Sequence, residues 1–329
     1  MASQNNANRI EVSIIIPTFN RQGSLVRTLD SLFNQTFSQE NFEIIVVDGS
    51  TDNTEKIIKD IIKSHLNLRY IKQLDKGASS ARNLGIINSN GEIVGFTDDD
   101  CVVDPVWIEQ ALESLKNADF CGVQGITLPE IKIQKKNKIL EYADVATYTG
   151  KEKYRTYPTC NIFYRKKSLI EISCLDEKLT YGEDDDLAFR LIKRGNEIYL
   201  NKNMIVYHEV RYLNILKYIF KRLKRRESLP LFVKKHPEYR NRLFLKVFVP
   251  SHVYIIFAIG TFIIYLLNLD VSIPLFFTLF AFLVTRVFID RNYIMIFVRI
   301  LFFWRYFIID FANVYYLVKG SIKHRSLLI

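Results

Sequence analysis

The chain has 329 residues, enough for one large domain and a further segment, and 49% of them are hydrophobic. Its net charge of +10 comes from the stretch Arg211 to Lys246, where 12 Lys and Arg stand against two Glu. This stretch adjoins an apolar run and has no nucleic-acid-binding motif, so we expect membrane lipids as partners and no nucleic acid. Metal-ligand spacing and a secretory context are both lacking, which predicts free thiols at Cys101, Cys121, Cys160 and Cys174.

The amino-terminal part of the chain alternates predicted strands and helices. Residues 1–10 form a polar tail without the apolar segment of a cleaved signal peptide. Four apolar segments then have the pattern of strands, each followed by a helical pattern: Val12 to Ile16, Phe42 to Val47, Leu68 to Ile71 and Glu92 to Phe96. This order predicts an α/β fold with a parallel sheet, helices on both faces, and the polar loops together on one edge.

Three consecutive carboxylates, Asp98 to Asp100, follow the fourth strand directly. Carboxylates at the carboxyl end of a strand in an open α/β sheet face the crevice where such folds bind ligands. Asp98 and Asp100 are one residue apart, so they can face the same way and hold a hard divalent cation that neutralises a diphosphate. The alternative is an acidic surface turn that caps the next helix, although Asp104 is better placed for that cap.

Five motifs in order resemble the family 2 glycosyltransferases of GT-A fold: Val12 to Arg21, Asp48 to Asp52, Gly77 to Asn83, Asp98 to Asp100, and Tyr181 to Leu187. The resemblance covers residues 11–210, and the acidic trio with the Gly-Glu-Asp run is its most specific part. One departure is visible, because only Gly49 separates Asp48 from Ser50 where the family usually has two residues. The resemblance implies a Rossmann-like GT-A domain with a mostly parallel sheet and flanking helices.

The resemblance implies an inverting glycosyltransferase. Such an enzyme would move a sugar from a UDP- or GDP-sugar to a lipid-linked or glycan acceptor at the cytoplasmic membrane face, in cell-surface polysaccharide or glycan assembly. A non-catalytic membrane scaffold that binds sugar nucleotides is the alternative. The acidic pair and the Gly-Glu-Asp run together favour the enzyme, and residues 17–23 lack the Gly-rich triphosphate loop of a nucleotidyltransferase.

The resemblance also implies a metal site. Asp100 would be the principal metal ligand, and Asp98 would contact the metal or the ribose. His208 matches a position where similar enzymes often place a histidine that faces the metal or the diphosphate, and a buried structural histidine is the alternative. Mn²⁺ or Mg²⁺ fits oxygen ligands, and a nitrogen ligand favours Mn²⁺.

A further set of residues is implied to bind the nucleotide sugar. Pro17 fixes the backbone so that groups of the next residues meet a base edge, and Asp48 accepts a hydrogen bond from a pyrimidine N–H. Arg82 reaches a phosphate or Asp98, or forms a structural salt bridge. Asp99 either contacts the donor or has a structural role. The full set is Pro17, Thr18, Asn20, Arg21, Asp48, Ser50, Lys76, Arg82, Asp98, Asp99 and Asn161, of which Asn161 matches a position beside the donor sugar.

Inverting transfer needs one general base that takes the proton of the acceptor hydroxyl. Asp184, at the start of a predicted helix, matches the base by resemblance, and Glu183 is the alternative. Because the helix dipole keeps such a carboxylate ionised at neutral pH, we expect a modest pKa. The dipole alone accounts for Asp185 and Asp186. Residues 126–157 have poor periodicity, which predicts a variable acceptor loop.

The carboxyl-terminal part of the chain predicts a membrane region. Residues 211–246 have one apolar and one basic helical face, which is typical of an interfacial helix. Residues 247–269 are uncharged and predict a first span, and residues 271–289 predict a return span. Residues 293–318 contain charges and predict an in-plane helix, with a third span as the alternative. We therefore expect an integral membrane protein whose catalytic domain is cytoplasmic.

Overall fold

The structure is a computed structural model that describes residues 9–74, 77–130, 141–144, 148–150, 155–214, 227–243, 253–267, 270, 278 and 303–328. Of the predicted site residues, only Lys76 lies outside this set. The chain divides into two compact units, Met1–Asn214 and Ile215–Ile329.

The first unit is built from alternating strands and helices. Its first half contains β1 (Val12–Thr18), α1 (Gln22–Phe33), β2 (Phe42–Asp48), α2 (Thr54–Ile62), β3 (Leu68–Lys72), α3 (Ala78–Asn88), β4 (Ile93–Phe96), β5 (Cys101–Val103) and α4 (Trp107–Leu115). Its second half contains β6 (Phe120–Glu130), β7 (Glu141–Asp144), β8 (Ile162–Arg165), α5 (Lys166–Glu171), α6 (Glu183–Ile192), β9 (Glu197–Glu209) and β10 (Arg211–Asn214).

Eight of these strands form one sheet in the order β3-β2-β1-β4-β8-β6-β9-β5. Strands β1 to β4 are parallel, as predicted. The other half of the sheet is mixed, because β8 is antiparallel to β4 and β6, and β5 is antiparallel to β9. The predicted α/β class is confirmed, and its arrangement is a mixed sheet with flanking helices, consistent with the GT-A fold.

The core lies on both faces of the sheet. Ile14 and Ile16 of β1 pack into one apolar cluster, with Leu25 and Leu29 of α1. Ile15, between them in the chain, packs into a second cluster on the opposite face. Successive side chains of a strand point to opposite faces, so a strand buried on both faces is apolar at every position. This explains the continuous apolar run at the start of the chain.

Gly125 in β6 marks a close approach of two backbone segments. A Cβ atom added there would lie 2.1 Å from the carbonyl oxygen of Met204 and 2.6 Å from the side-chain amide of Asn161. Because the backbone of β9 has to shift, Gly125→Ala should lower the free energy of unfolding by about 1–3 kcal/mol in a urea titration. Gly23→Ala is the matched control, since its Cβ would meet nothing within 4 Å. We expect it to be neutral or to stabilise by up to about 1 kcal/mol, and equal stability of the two variants would contradict the packing at Gly125.

The predicted acceptor loop contains more regular structure than its sequence pattern indicates. Strand β6 continues to Glu130, and β7 pairs antiparallel with β10. Strand β10 also begins the stretch 211–246, so residues 211–214 are not part of the predicted interfacial helix. Residues 131–140, 145–147, 151–154 and 215–226 lie outside the described residues.

The second unit is helical in its described parts. It contains α7 (Leu229–Lys235), a 3₁₀ helix (Pro237–Arg242), α8 (Val253–Leu266) and α9 (Phe303–His324). Helix α9 packs against α7, where Lys319 and Lys323 donate to Glu227 at 2.9 and 3.1 Å.

The prediction of an integral membrane protein with a cytoplasmic catalytic domain is wrong. Over the described ranges, no helix combines the length and the apolar composition that a bilayer crossing requires. Helix α8, within the predicted span 247–269, has 14 residues, which is about 21 Å of helix against roughly 30 Å of hydrocarbon core. Helix α9 overlaps the predicted segment 293–318 and carries charged residues, and the predicted span 271–289 lies outside the described residues apart from Thr278.

Candidate active site

The candidate site lies where β1, β2 and β4 end side by side. In the parallel register Thr18 of β1 pairs with Asp48 of β2, and the acidic trio follows β4. The hydroxyl of Thr18 donates to Asp99 Oδ2 at 2.8 Å, which joins the first loop to the trio. The predicted meeting of polar loops on one edge therefore occurs.

Asp99 is buried and holds the trio in place. Besides Thr18, it accepts a hydrogen bond from Arg21 Nη1 at 2.8 Å, and the same nitrogen donates to Asp100 Oδ2 at 2.9 Å. Burial raises the pKa of Asp99 to about 6, against the lowering effect of Arg21 and with a further contribution from the charge of Asp100. These contacts fit the structural alternative for Asp99 and tie Arg21 to the acidic turn.

Asp48 is fully buried at the end of β2. Its Oδ1 accepts from the backbone N–H of Ser50 at 2.7 Å, and its Oδ2 accepts from the Tyr70 hydroxyl at 2.7 Å and from Lys72 Nζ at 3.2 Å. Burial opposes ionisation, but the hydrogen bonds from Ser50, Tyr70 and Lys72 outweigh it and lower the pKa of Asp48. Tyr70 and Lys72 lie on the short edge strand β3 and form no recognisable motif. The sequence therefore did not identify them as site residues.

The loop after β1 is fixed against the loop after β2. The backbone N–H of Asn20 donates to Ser50 Oγ at 2.7 Å, and Asn20 Oδ1 accepts from the N–H of Thr51 at 2.9 Å. Asn20 has a left-handed backbone with φ of 53°, a conformation that asparagine tolerates better than most residues. Phe19, beside it in the chain, is 45% exposed. The two loops thus form a preformed rim.

Arg82 connects the acidic trio with the start of α6. Its buried guanidinium donates from Nη2 to Asp98 Oδ1 at 2.7 Å, and its Nη1 lies 3.8 Å from Glu183 Oε1. Burial would lower the pKa of Arg82, but Asp98, Glu183 and Asp184 raise it, so the side chain stays charged. Within the described residues, its Nε and Nη1 have no hydrogen-bond partner. This buried cation therefore lies between two sets of carboxylates.

Helix α6 begins as predicted, after Gly182 in a left-handed conformation. Burial and the charges of Asp185 and Glu183 raise the pKa of Asp184 well above its usual range, against the effect of Arg82. The expected modest pKa is wrong, because desolvation and like charges exceed the helix dipole. Asp185 and Asp186 have structural partners beyond the expected effect of the helix dipole. Asp185 accepts from the N–H of Tyr157 at 2.8 Å, and Asp186 accepts from Arg190 at 2.8 Å.

The raised pKa of Asp184 gives a pH dependence. An acid with a raised pKa stays protonated to a higher pH, so if Asp184 is the predicted base, the rate of turnover should increase with pH until Asp184 ionises. Asp185→Asn removes a neighbouring negative charge while its amide oxygen still accepts from Tyr157, so the acid limb of the pH–rate profile should shift to lower pH. Initial rates across a pH series measure this shift. Asp186→Asn is a control whose acid limb should stay in place, and an unmoved limb in Asp185→Asn would contradict the assignment.

A candidate metal centre lies beside the trio. The ligand atoms of Asp100, Cys101 and His208 all lie within 4.8 Å of one another, and the three residues are buried. His208 Nε2 is 3.5 Å from Asp100 Oδ1, and its Nδ1 is 3.1 Å from the carbonyl oxygen of Glu209. A carboxylate, an imidazole and a thiol at these separations fit a divalent cation. The structure brings Asp100 and His208 together, as predicted, and pairs Asp98 with Arg82 instead.

Asn161 has a structural role. It is fully buried, donates to the carbonyl oxygens of Ile126 and Met204 at 2.8 and 3.2 Å, and accepts from Trp107 Nε1 at 2.8 Å. These hydrogen bonds tie the side-chain amide of Asn161 to β6, β9 and α4. Its buried position therefore does not support the predicted contact with the donor sugar.

Part of the chain is similar to a known protein family. Residues 13–173 match the profile described as Glycosyl transferase family 2. A Methanococcus voltae relative, the dolichyl N-acetyl-alpha-D-glucosaminyl phosphate 3-beta-D-2,3-diacetamido-2,3-dideoxy-beta-D-glucuronosyltransferase, is 29% identical over 214 residues, 59% of this chain and 65% of that protein. The chain spans between 24% and 67% of the length of the curated relatives it matches.

Two solved structures have a similar fold. Mannosyltransferase PcManGT from Pyrobaculum calidifontis, in complex with GDP-Man and Mn²⁺, is 16% identical with a TM-score of 0.58, covering 96% of this chain and 87% of that chain. S. aureus TarS in complex with UDP-GlcNAc is 20% identical with a TM-score of 0.52, covering 67% of this chain and 66% of that chain. At these identities the likeness is one of fold. The match to the family profile and the relatives named as glycosyltransferases support the predicted enzyme class.

Proposed function

We propose that this chain, which carries a glycosyl transferase family 2 domain over residues 13–173, moves a sugar from a nucleotide-diphosphate sugar to an acceptor hydroxyl with inversion at the anomeric carbon. The observation that carries the proposal is the position of Arg82, whose guanidinium contacts Asp98 and lies 3.8 Å from Glu183. The donor-side carboxylate and the candidate bases thus flank one buried cation. A substrate bound along this edge of the sheet would reach Asp98 on one side of Arg82 and the candidate bases on the other side.

The donor is a UDP- or GDP-sugar held by the rim of the first two loops. Thr18, Asn20, Ser50 and Asp48 are already hydrogen bonded into a fixed shape, which lowers the entropic cost of binding. Arg21 adds a partly exposed guanidinium next to the acidic turn. Two proteins of similar fold are named in complex with GDP-Man and UDP-GlcNAc, which supports this donor class.

A divalent cation, Mn²⁺ or Mg²⁺, is part of the proposal. Asp100 and His208 would hold it, and Asp98, whose carboxylate is partly exposed, would contact the ribose or the metal. When bound, the ion neutralises the charge that develops on the leaving diphosphate. Arg82 contributes in the same direction, because its charge lies next to Asp98.

Asp184 is the proposed general base, with Glu183 as the alternative. As the bond between the acceptor oxygen and the anomeric carbon forms, the bond to the leaving diphosphate breaks and the hydroxyl proton passes to the carboxylate. A carboxylate with a raised pKa is a stronger base, provided that it is ionised at the working pH. Arg82 stabilises that ionised form, since its charge opposes the rise in the Asp184 pKa.

The acceptor is a lipid-linked sugar or a glycan. The Methanococcus voltae relative supports this acceptor class, because its name describes a dolichyl phosphate-linked acceptor for that protein.

A donor panel tests the function. The purified chain is incubated with UDP- and GDP-sugars and with glycan and lipid-linked acceptors, and both nucleotide release and sugar incorporation are measured. We expect one donor to be used, and Arg82→Lys to transfer about 10-fold more slowly or worse, because lysine lacks the fork that reaches both carboxylates. Nucleotide binding without release for any pair would favour the scaffold, and full activity of Arg82→Lys would contradict the role of Arg82.

A further inference from the structure

We propose that Cys101 is a third protein ligand beside Asp100 and His208, and that the centre therefore selects a thiophilic divalent cation of the Zn²⁺ or Co²⁺ class over Mg²⁺. The inference deepens the proposed function, because it uses the same Asp100 and His208. It rests on that function for the place of the ion, and it replaces the Mn²⁺ or Mg²⁺ proposed there with a thiophilic ion. It is based on the positions of side chains on β5, on β9 and in the acidic turn that precedes β5.

Cys101 and His208 are opposite each other in an antiparallel pair. Strand β5 pairs with β9 so that Cys101 faces His208 and Val102 faces Tyr207. Directly opposed residues of an antiparallel pair project from the same face of the sheet, with Cβ atoms about 4.5–5.5 Å apart. Side chains along these strands alternate between the two faces of the sheet, since Cys101 is fully buried and Tyr207 is exposed. The thiol and the imidazole therefore point to the same side.

Backbone and side-chain contacts fix the third group, Asp100. Its carbonyl oxygen accepts from the N–H of Glu209 at 2.8 Å, which continues the pairing of β5 and β9 by one residue. Arg21 holds Oδ2 of its carboxylate at 2.9 Å, and this contact turns Oδ1 towards His208. The carboxylate is thus presented to the imidazole in one orientation.

The separation of the imidazole and the carboxylate fits a shared ion. His208 Nδ1 lies 3.1 Å from the Glu209 carbonyl, so Nδ1–H donates there and Nε2 keeps its lone pair. Nε2 is 3.5 Å from Asp100 Oδ1, which is longer than an ordinary hydrogen bond. Two ligand atoms at about 2.1 Å from a tetrahedral ion lie about 3.4 Å apart. The observed distance is therefore close to the one that an ion requires.

The donor set decides the class of metal. Mg²⁺ prefers oxygen ligands in octahedral geometry, whereas a thiolate together with an imidazole favours Zn²⁺ and similar ions. Binding would release the Cys101 proton, because the thiolate is the ligand. Three protein ligands are typical of catalytic zinc sites, which keep a fourth position open. A site of this kind still accepts an oxygen of a substrate.

Cobalt spectroscopy tests the inference without donor or acceptor. Co²⁺ is added to the metal-free full-length chain, and we expect a near-ultraviolet thiolate-to-cobalt charge-transfer band with intense visible bands of tetrahedral cobalt. Cys101→Ser should abolish the charge-transfer band. Cys121→Ser is the matched control and should retain it, because Cys121 is a buried thiol in the apolar cluster on the opposite face of the sheet and lies outside the ligand group. Zn²⁺ should displace the cobalt, and a large excess of Mg²⁺ should not.

Any one of three results would overturn the inference. Absence of the charge-transfer band in the unmodified chain, its retention in Cys101→Ser, or displacement of the cobalt by a large excess of Mg²⁺ would do so. Cys101→Ala, with circular dichroism of both variants, separates loss of a ligand from loss of the fold. Because no sugar transfer is measured, a negative result leaves the proposed transferase function standing, and failure of the donor panel leaves the cobalt result standing.

Discussion

Asp184→Asn should slow single-turnover sugar transfer by about 100-fold to 10,000-fold and leave donor affinity unchanged. The amide keeps the shape of the side chain and still accepts the hydrogen bond from the N–H of Asp185 at 2.8 Å. It cannot take a proton from the acceptor hydroxyl. Rapid-quench transfer measures the rate, and calorimetric titration with the nucleoside diphosphate measures affinity.

Glu183→Gln is the matched control for this variant. Glu183 lies one residue earlier in the first turn of α6, and its contact with Arg82 at 3.8 Å is longer than a hydrogen bond. We expect a smaller loss of rate than in Asp184→Asn. Normal turnover of Asp184→Asn together with an inactive Glu183→Gln of unchanged donor affinity would assign the base to Glu183 instead.

Asp100→Asn should lower metal-dependent transfer by about 100-fold or more, because an amide is a far weaker metal ligand than a carboxylate. A bound divalent ion stabilises the charge on the leaving group by several kcal/mol. The backbone hydrogen bond from Glu209 does not involve the side chain, so the fold should remain intact. Transfer is measured with added Mn²⁺ and again in chelator.

Asp104→Asn is the control for Asp100→Asn. Its carboxylate accepts from the N–H of Val106 at 3.2 Å, close in sequence to the trio but outside the ligand group. Transfer by this variant should match that of the unmodified chain. If Asp100→Asn is fully active in chelator, the ligand role of Asp100 is wrong.

The first half of the sheet could be predicted from the sequence because each of its strands is marked by the residue pattern within the strand itself. Strands β1, β2 and β4 are apolar at nearly every position and end in polar loops, which is the pattern of parallel strands covered on both faces. The position of the acidic trio followed from the end of β4 alone.

The second half of the sheet could not be predicted, because it depends on pairing between distant segments. Strand β5 has three residues, too few to show a period, and it pairs with β9 only in the folded chain. Cys101 was therefore judged by its spacing from other cysteines, while its partner His208 lies 107 residues later in the chain. Spacing along the chain therefore gave no sign that Cys101 lies beside Asp100 and His208, although the resemblance had already indicated those two residues.

Burial accounts for two further differences. The rise in the Asp184 pKa comes from its surroundings in the folded domain, whereas the helix dipole is visible from position alone. Asn161 matches a motif position, yet its amide is hydrogen bonded to three elements of the core. In the second unit, the uncharged run predicted a span, and the described ranges contain no helix that is long and apolar enough to cross a bilayer.

The anomeric configuration of the product tests the account most directly. One carboxylate that acts as base at a single site, Asp184 or Glu183, allows one displacement and no covalent sugar intermediate. NMR of the product formed from an α-linked sugar nucleotide should therefore show a β-linkage in the unmodified chain, formed at a rate that Asp184→Asn reduces. An α-linked product would contradict the proposed mechanism.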